Sequence, residues 1–582
     1  MMFALCLTVA VGDRLRAVSS VIDIDDTLRR LQIEDLLADN NWFDRTLPFV
    51  TPDAPYVSPW SRLVDAPYVG LTRLLDIFLP AETALDVACL VWPPMLLIPL
   101  TWLVQSTMRA MLGRPVRLIE LACTFPFLIQ AAAEFAPGRI DHHNVQMVLL
   151  ALFVRGLTLK TPYRAGIVSG AAAVLSIAVG LETVPMLVAG LAGLAIFGAL
   201  QGGEAGQRLQ AAGAALALLS PLMGLVLNGP ADTFSVYCDA LSAPWVSAMS
   251  GAGLILLLTP VSWTHLRGNT PAMRAARLAS LAVPGLVLLA GLAAAFPICT
   301  GGPLHMIDPA TQAFWLDNVP QENSGLTLVK DPGRLAFALL ICLAIGTSLL
   351  AGADAFARLK AGQDGAVLVW ITVLAGVLMA VLAVRYARIS FLLTTLILPM
   401  AICAVQSLRS GLPAERRWAT RWAGAALAGS AGFLMLGFSP LVEAPHEVAD
   451  SYLHFRHDAC AGEDFAVLDQ VSPGVVMAPF GMHYVIIEAD AGHTLSTISF
   501  HRSAPGIRRL ALAFTTEDPE VLREAVSGVD YIVVCARETG APLNDMPLLR
   551  DLVRETPRAG FIPTAPNHPS RVTVYKIDPE AI

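Results

Sequence analysis

Apolar stretches near membrane-spanning length recur along this chain. They fall at about 85–106, 117–136, 144–158, 165–181, 183–201, 209–227, 247–261, 277–297, 334–352, 365–384, 390–407 and 420–439. A bilayer core of ~30 Å takes about 20 residues of helix, so each stretch reads as a crossing, the shorter ones as tilted or interrupted crossings. The run from Met1 to Val11 is apolar but short. It reads as a short tilted span, or as the tail of a first helix whose start has been lost. A cleaved signal peptide is the rival reading, but neither a basic leader nor a clear small-x-small cleavage site accompanies the run. Counting it, the pattern predicts about thirteen membrane helices.

Basic residues test that assignment. Arg109, Arg114 and Arg117 share one loop, and Arg155, Lys160 and Arg164 share another, two crossings on. His265, Arg267, Arg274 and Arg277 follow, then Arg358 and Lys360, then Arg409, Arg416, Arg417 and Arg421. With the spans above, all of these loops fall on one side, which the positive-inside tendency makes cytoplasmic. The long loops, at about 12–84, 137–143, 228–246, 298–333 and everything after 440, then fall outside. The predicted domains are residues 1–440, a helical membrane domain with long outer loops, and 441–582, an extracytoplasmic α/β domain. The tail carries short β-rich runs such as Gly474-Val475-Val476-Met477-Ala478 and Tyr531-Ile532-Val533-Val534-Cys535, with helical patterns such as Pro519 to Val526 between them. That alternation is the α/β signature.

Composition agrees. The chain is 55% hydrophobic and 15% charged, with mean hydropathy +0.60, too apolar for a soluble protein of 582 residues. A net charge of −8 offers no support for nucleic-acid binding, and none is expected. Nine cysteines lie scattered without a Cys-x-x-Cys pair, so neither a zinc knuckle nor a dense disulfide scaffold is indicated. Cys238 and Cys299 both fall in predicted outer loops, where a pairing is open to them; two unrelated buried thiols is the reading the sequence favours.

Chemistry enters at Gly138-Arg139-Ile140-Asp141-His142-His143-Asn144, between two apolar runs. Charge is costly beside a lipid-facing segment, so a carboxylate and two imidazoles there call for a reason. Asp141 and His143 are suitable ligands for a divalent metal, although a solvated polar cap would look similar. A second acidic group, Asp23, Asp25 and Asp26, falls on the same predicted face, and helical spacing sets Asp26 near Arg29 and Arg30. An N-terminal helix cap is the plainer reading of these aspartates. Arg385 and Arg388 sit at an outer helix end, where they serve either a lipid phosphate or the membrane interface. Glu182 lies in the turn Gly180-Leu181-Glu182-Thr183, as a group supporting the site or as a solvated turn. His501 and Arg502 in the tail offer contacts to a sugar, or are ordinary domain residues.

Taken together, these motifs resemble the catalytic subunit of oligosaccharyltransferase. The acidic first outer loop is followed by Asn41-Trp42-Phe43-Asp44-Arg45, and Asp141-His142-His143 looks most like the archaeal form. Val319-Pro320-Gln321-Glu322 is similar to the family's loop ending in a catalytic Glu. Val384-Arg385-Tyr386-Ala387-Arg388 resembles its Val-Arg-x-x-Arg, whose arginine holds lipid-linked phosphate. Gly528-Val529-Asp530-Tyr531-Ile532-Val533-Val534 follows the family's order near the end. The resemblance implies a C-type glycosyltransferase fold: a polytopic α-helical membrane domain of about 13 helices with a C-terminal extracytoplasmic α/β domain. It implies a divalent metal, Mg or Mn, on Asp25, Asp141 and His143, and catalytic roles for Asp25 and Glu322. Arg385 and Arg388 would bind donor phosphate, while Asp26, His142, Glu182, His501 and Arg502 are possible substrate contacts.

One departure bears on the acceptor. Where the family has Trp-Trp-Asp-Tyr-Gly, which grips the hydroxyl of an Asn-x-Ser/Thr acceptor, this chain has Ala478-Pro479-Phe480-Gly481-Met482-His483-Tyr484. The expectation is an integral inner- or plasma-membrane glycosyltransferase whose active face and tail lie outside the cytoplasm. It would move a sugar or oligosaccharide from a polyprenyl-phosphate-type donor to an envelope glycan or lipid. The alternatives are a sequon-directed protein oligosaccharyltransferase, and a transporter or scaffold that kept the fold. A transporter would carry broken polar helices near mid-membrane, whereas here the polar residues cluster at outer helix ends.

Overall fold

The computed structural model describes residues 2–16, 24–38, 41–50, 56–263, 268, 270–410, 412–442, 465–489, 492–535, 545–564 and 571–582. Asp23, His265 and Arg267 lie outside the described residues. The chain divides into two compact units. One comprises Met1–Val18, Trp60–Pro303 and Ser324–Ala444; the other comprises Ser19–Pro59, Leu304–Asn323 and Pro445–Ile582.

The first unit is helical. In whole-chain numbering it holds α1 (Met2–Arg16), α3 (Arg62–Leu75), α4 (Ala81–Met95), α5 (Leu97–Leu112), α6 (Leu118–Cys123), α7 (Phe125–Ala132), α8 (His143–Leu157), α9 (Pro162–Val179) and α10 (Val184–Gln201). It continues with α11 (Gly203–Phe234), α12 (Ala243–Ser262), α13 (Pro271–Ala295), α15 (Leu335–Lys360), α16 (Asp364–Leu382), α17 (Ala387–Ser410) and α18 (Pro413–Phe438). Nine helical stretches among the described residues are long and apolar enough to cross a membrane. This is a membrane protein. Three shorter apolar helices, Met2–Gly12, Phe125–Phe135 and His143–Leu157, together with α18, occupy the remaining positions the hydropathy pattern assigned.

Small residues set the closest helix crossings. A Cβ on Gly170 of α9 would come within 2.6 Å of the Ala212 carbonyl of α11, and one on Gly213 within 2.5 Å of the Gly253 carbonyl of α12. Bare backbones therefore touch, which is how membrane helices gain packing energy without a hydrophobic drive between them. The crossings of α8, α9 and α10 alternate in direction through short turns at 158–161 and 180–183. The start of α8, the end of α9 and the start of α10 thus share one end of the bundle.

Cys238 and Cys299 are bonded, with Cα atoms 5.3 Å apart, against the reading the sequence favoured. The reason is geometric: the α12–α13 hairpin leaves and returns at one end, bringing the two thiols within bridging distance. Cys535 in the second unit is disulfide-bonded as well.

The second unit holds α2 (Ile24–Leu37), α14 (Pro309–Phe314), α19 (His483–Glu488), α20 (Ala504–Thr515), α21 (Pro519–Ala525) and α22 (Pro547–Val553). Its strands are β1 (Thr46–Leu47), β2 (Tyr56–Val57), β3 (Val475–Met477), β4 (Thr494–Leu495), β5 (Tyr531–Cys535), β6 (Phe561–Pro563) and β7 (Val572–Ile577). Five of them form a mixed sheet in the order β4-β3-β5-β7-β6, parallel from β4 to β5 and antiparallel beyond. Every residue of β5 is buried, as expected of a central strand covered on both faces. The β1–β2 hairpin joins the β4 edge, where Leu495 N–H donates to the Phe49 carbonyl at 2.8 Å.

The Ala478–Tyr484 segment forms a 3-10 turn at Phe480–Met482 and enters α19 at His483. His483 is fully buried, its Nε2–H donating to the Ala478 carbonyl at 2.8 Å. Burial pushes its pKa down from 6.5 to about 4, against the backbone bond to Ala478, which works upward. In the window from pH 6.5 to about 4 the unfolded chain binds the proton that the folded chain refuses. Stability is therefore complete above pH 6.5 and declines as the pH falls, by on the order of 3 kcal/mol once pH 4 is passed. Hydrogen exchange over residues 465–489, corrected for intrinsic rates, should rise steeply between pH 7.5 and 4.5. His483→Gln should flatten that dependence; an equal slope in the variant would assign it to other groups.

A candidate metal centre at the start of α8

The loop before α8 is fixed at several points. Gly138 takes φ +87°, a left-handed turn suited to glycine, and its N–H donates to the Cys89 carbonyl at 3.1 Å. Asn144 in the first turn of α8 reaches back through Nδ2 to the Arg139 carbonyl at 2.9 Å. Arg139 pairs with Glu134 Oε2 at 3.3 Å, and Glu134 also accepts from Arg388 near the start of α17. One buried carboxylate thus joins the loop to the segment carrying Arg385 and Arg388.

Asp141 and His142 are buried and His143 is partly buried; one ligand atom from each can lie within 4.8 Å of the others. The Asp141 carboxylate accepts from the His142 N–H at 2.6 Å and faces His142 Nδ1 through the same Oδ1 at 2.5 Å. His142 Nε2 lies 3.3 Å from Glu182 Oε1. Gln146, one turn along α8, donates to Glu182 Oε2 at 2.5 Å and lies 3.3 Å from His143 Nδ1. Glu182 stands in the α9–α10 turn, which a 2.7 Å bond between Ser176 and Thr183 closes.

His142 is therefore held between two carboxylates. Burial works against its charge, but Asp141 and then Glu182 push its pKa up to about 10. Burial would raise Asp141, yet the charges of His142 and His143 hold it well below the usual carboxylate range. Glu182 is likewise held well below that range against burial, by His142 first and then by His143 and Arg385. The site is a largely buried cluster in which Asp141 and Glu182 flank His142, with the N-terminus of α8 adding a favourable dipole for Asp141.

The donor set fits a divalent ion. His143 Nε2 lies 3.4 Å from Asp141 Oδ2. Two ligands each about 2.1 Å from a common ion and roughly 110° apart stand at this separation. His142, engaged on both nitrogens, orients Asp141 in the manner of an outer-shell partner.

The other candidate residues fall as follows. Arg385 lies in the turn Val384–Tyr386, close enough to Glu182 to act on its charge. Arg388 is on Glu134. Asp25 and Asp26 open α2 in the second unit, where Asp26 is buried. Glu322, whose N–H donates to the Val319 carbonyl at 2.9 Å, His501 and Arg502 also belong to that unit, with Arg502 donating to the Val57 carbonyl at 2.8 Å.

No protein-family model and no curated protein matches the sequence. Solved structures do match. The archaeal oligosaccharyltransferase AglB from Archaeoglobus fulgidus, in complex with an inhibitory peptide and a dolichol-phosphate, is 12% identical with a TM-score of 0.60, over 100% of this chain and 74% of that one. The fold is that of an archaeal oligosaccharyltransferase. An Archaeoglobus fulgidus oligosaccharyltransferase tethered to an acceptor peptide containing the NVT sequon matches at 12% identity and TM-score 0.57, over 99% of this chain and 74% of that one. The Archaeoglobus fulgidus oligosaccharyltransferase in complex with Zn and sulfate matches at 12% identity and TM-score 0.54, over 99% and 72%.

Within this oligosaccharyltransferase fold, sequence reasoning passed over Glu134, Gln146 and Gly180. A lone acid at the end of an apolar helix was a signal for Glu134. Gln146 stands four residues after His142, on the same helix face. Gly180 is at the closest approach in the site. A Cβ there would lie 2.5 Å from Gln146 Nε2 and 2.6 Å from Glu182 Oε2, and nothing in the sequence announces that crowding.

Proposed function

We propose that this chain is an integral-membrane glycosyltransferase moving a sugar or oligosaccharide from a polyprenyl-phosphate-type lipid to an extracytoplasmic envelope glycan or lipid. The observation that carries the reading is the buried Asp141–His142–His143 cluster at the ends of membrane helices in this fold. A divalent ion, Mg or Mn, on Asp141 and His143, with Asp25 as a further ligand, would offset negative charge on the leaving phosphate. Asp25 or Glu322 would draw the proton from the acceptor. Arg385 would hold the donor phosphate with paired N–H groups, and Arg388, set by Glu134, would back it. The lipid tail has a suitable apolar slot. A cavity of about 460 Å³ lies between α10, α11, α12 and α13, and its wall begins at Val188, one turn into α10 from the Glu182 turn.

Sidedness is supported twice. Connectivity puts the Cys238–Cys299 bond at the same end of the bundle as Asp141, and disulfides persist in oxidising compartments. The basic loops lie at the other end, as cytoplasmic loops do. We accordingly propose that the active face and the segment after 440 lie outside the cytoplasm.

Arg385→Lys keeps the charge but loses the paired donors, so donor KM should rise about tenfold, and Arg385→Ala should cost more. Unchanged KM and turnover in Arg385→Ala would leave this residue an interfacial anchor. The acceptor is tested with purified protein, a lipid-linked sugar and a fluorescent Asn-x-Thr peptide beside its Asn-x-Ala control. The Ala478–Tyr484 segment supplies neither paired Trp nor Asp, so the expected result is transfer to neither peptide, with donor consumed when an envelope lipid or glycan is added. Efficient transfer to Asn-x-Thr alone would instead make the chain a sequon-directed oligosaccharyltransferase.

A further inference from the structure

The helices α8, α9 and α10 have a second polar end. The 15 residues from His143 to Leu157 carry α8 roughly 21 Å, at about 1.5 Å per rise, away from the Asp141–His142–His143 cluster. There a cavity of about 450 Å³ opens, within the usual size of ligand pockets. Its wall includes Thr158, Lys160, Glu204, Arg208, Gln363 and Asp364.

Two features make this a built site. Arg208 is only 9% exposed, and its guanidinium is fixed by the Leu159 carbonyl at 2.9 Å and Asp364 Oδ2 at 3.3 Å. The starts of α9, α11 and α16 line the cavity, and none of the three has a side-chain cap. Their partial positive charge is thus directed there. The ends of α5, α8 and α10 line it as well, bringing the opposite partial charge.

The cavity therefore presents both signs: Lys160, Arg208 and helix starts against Glu204, Asp364 and helix ends. A simple anion meets two carboxylates there, and a simple cation meets two bases. A molecule with a phosphate and an ammonium satisfies both halves. The helix ends of a membrane bundle lie at headgroup depth, where such a molecule is abundant as a lipid headgroup. Carboxylates need N–H donors, which a primary ammonium has and a trimethylammonium lacks. We propose that this cavity binds the phosphoethanolamine headgroup of a phospholipid, at the membrane face opposite the metal cluster.

The proposal needs only a membrane-embedded chain and does not depend on the transfer reaction. The test uses the purified full-length protein in detergent. Thermal stability and native mass spectrometry are followed during titration with phosphatidylethanolamine, phosphatidylcholine, phosphatidylglycerol and soluble glycerophosphoethanolamine. The ethanolamine lipid should bind at least about fivefold tighter than the other two lipids, and Lys160→Ala and Glu204→Gln, both at exposed positions, should each remove most of that preference. Equal binding of the choline lipid, tighter binding of the glycerol lipid, or full preference in both variants would overturn the proposal. Glycerophosphoethanolamine binding as tightly as the lipid would overturn the lipid source and leave a site for the soluble zwitterion.

Discussion

Asp141→Asn should lower the proposed sugar transfer from a lipid-linked donor by at least about a hundredfold, the loss of ~2.7 kcal/mol of transition-state stabilisation. The substitution is nearly isosteric, but it removes the charge that His142 and His143 face across 2.5 and 3.4 Å. His143→Ala should fall as far, because it deletes the nitrogen opposite Asp141 Oδ2. His142→Gln should cost less, about tenfold, since that imidazole orients the carboxylate and is not one of the proposed ligands. The measurements are turnover with a lipid-linked sugar and Mn affinity by electron paramagnetic resonance, with melting temperature as the control for folding. Chelation should silence the wild type, and added Mg or Mn should restore it. An Asp141→Asn protein that turns over normally after chelation would remove the metal from the mechanism.

Gly180→Ala should impair transfer by more than tenfold although it changes one hydrogen to a methyl group. The backbone is not the obstacle, because Gly180 is extended, at φ 178°. The obstacle is space: the methyl would stand 2.5 Å from Gln146 Nε2, 2.6 Å from Glu182 Oε2 and 3.3 Å from His142 Cδ2. Something must move, and what moves is the bond by which Gln146 holds Glu182 against His142. Overpacking of this kind costs about 1–3 kcal/mol of stability. Adding Gln146→Ala clears one side of the clash, so the double variant should recover melting temperature while remaining slow. Normal turnover in Gly180→Ala would show that Glu182 has no part in setting the cluster.

The fold was largely readable because its determinants are local. Apolar windows marked the crossings, and the central strand Tyr531–Cys535 announced itself by an unbroken β-rich run. Breaks inside the windows were not foreseen. The stretch read as 85–106 is two helices parted at Leu96, just past Pro93-Pro94, and α11 runs on to Phe234 through a kink at Gly229. In the site, the adjacent Asp141, His142 and His143 needed no folding to be seen. The Gln146–Glu182 bond spans 36 residues and the Arg388–Glu134 pair 254, and such partners are set by which turns the bundle brings together. The Cys238–Cys299 pair was a candidate by loop assignment, but only the return of the α12–α13 hairpin decides the distance.

That bond dates events in the life of the chain. It closes a loop of two membrane crossings, and of the residues of α13 only Arg277 is buried. The thiols meet only after both crossings have been threaded and α13 has come back to the end of the bundle from which α12 left. A pulse-labelled chain should therefore pass from a slow to a fast form on a non-reducing gel at that moment of biogenesis. The same bond then keeps a lipid-exposed helix from drifting into the bilayer, a mooring rather than a brace.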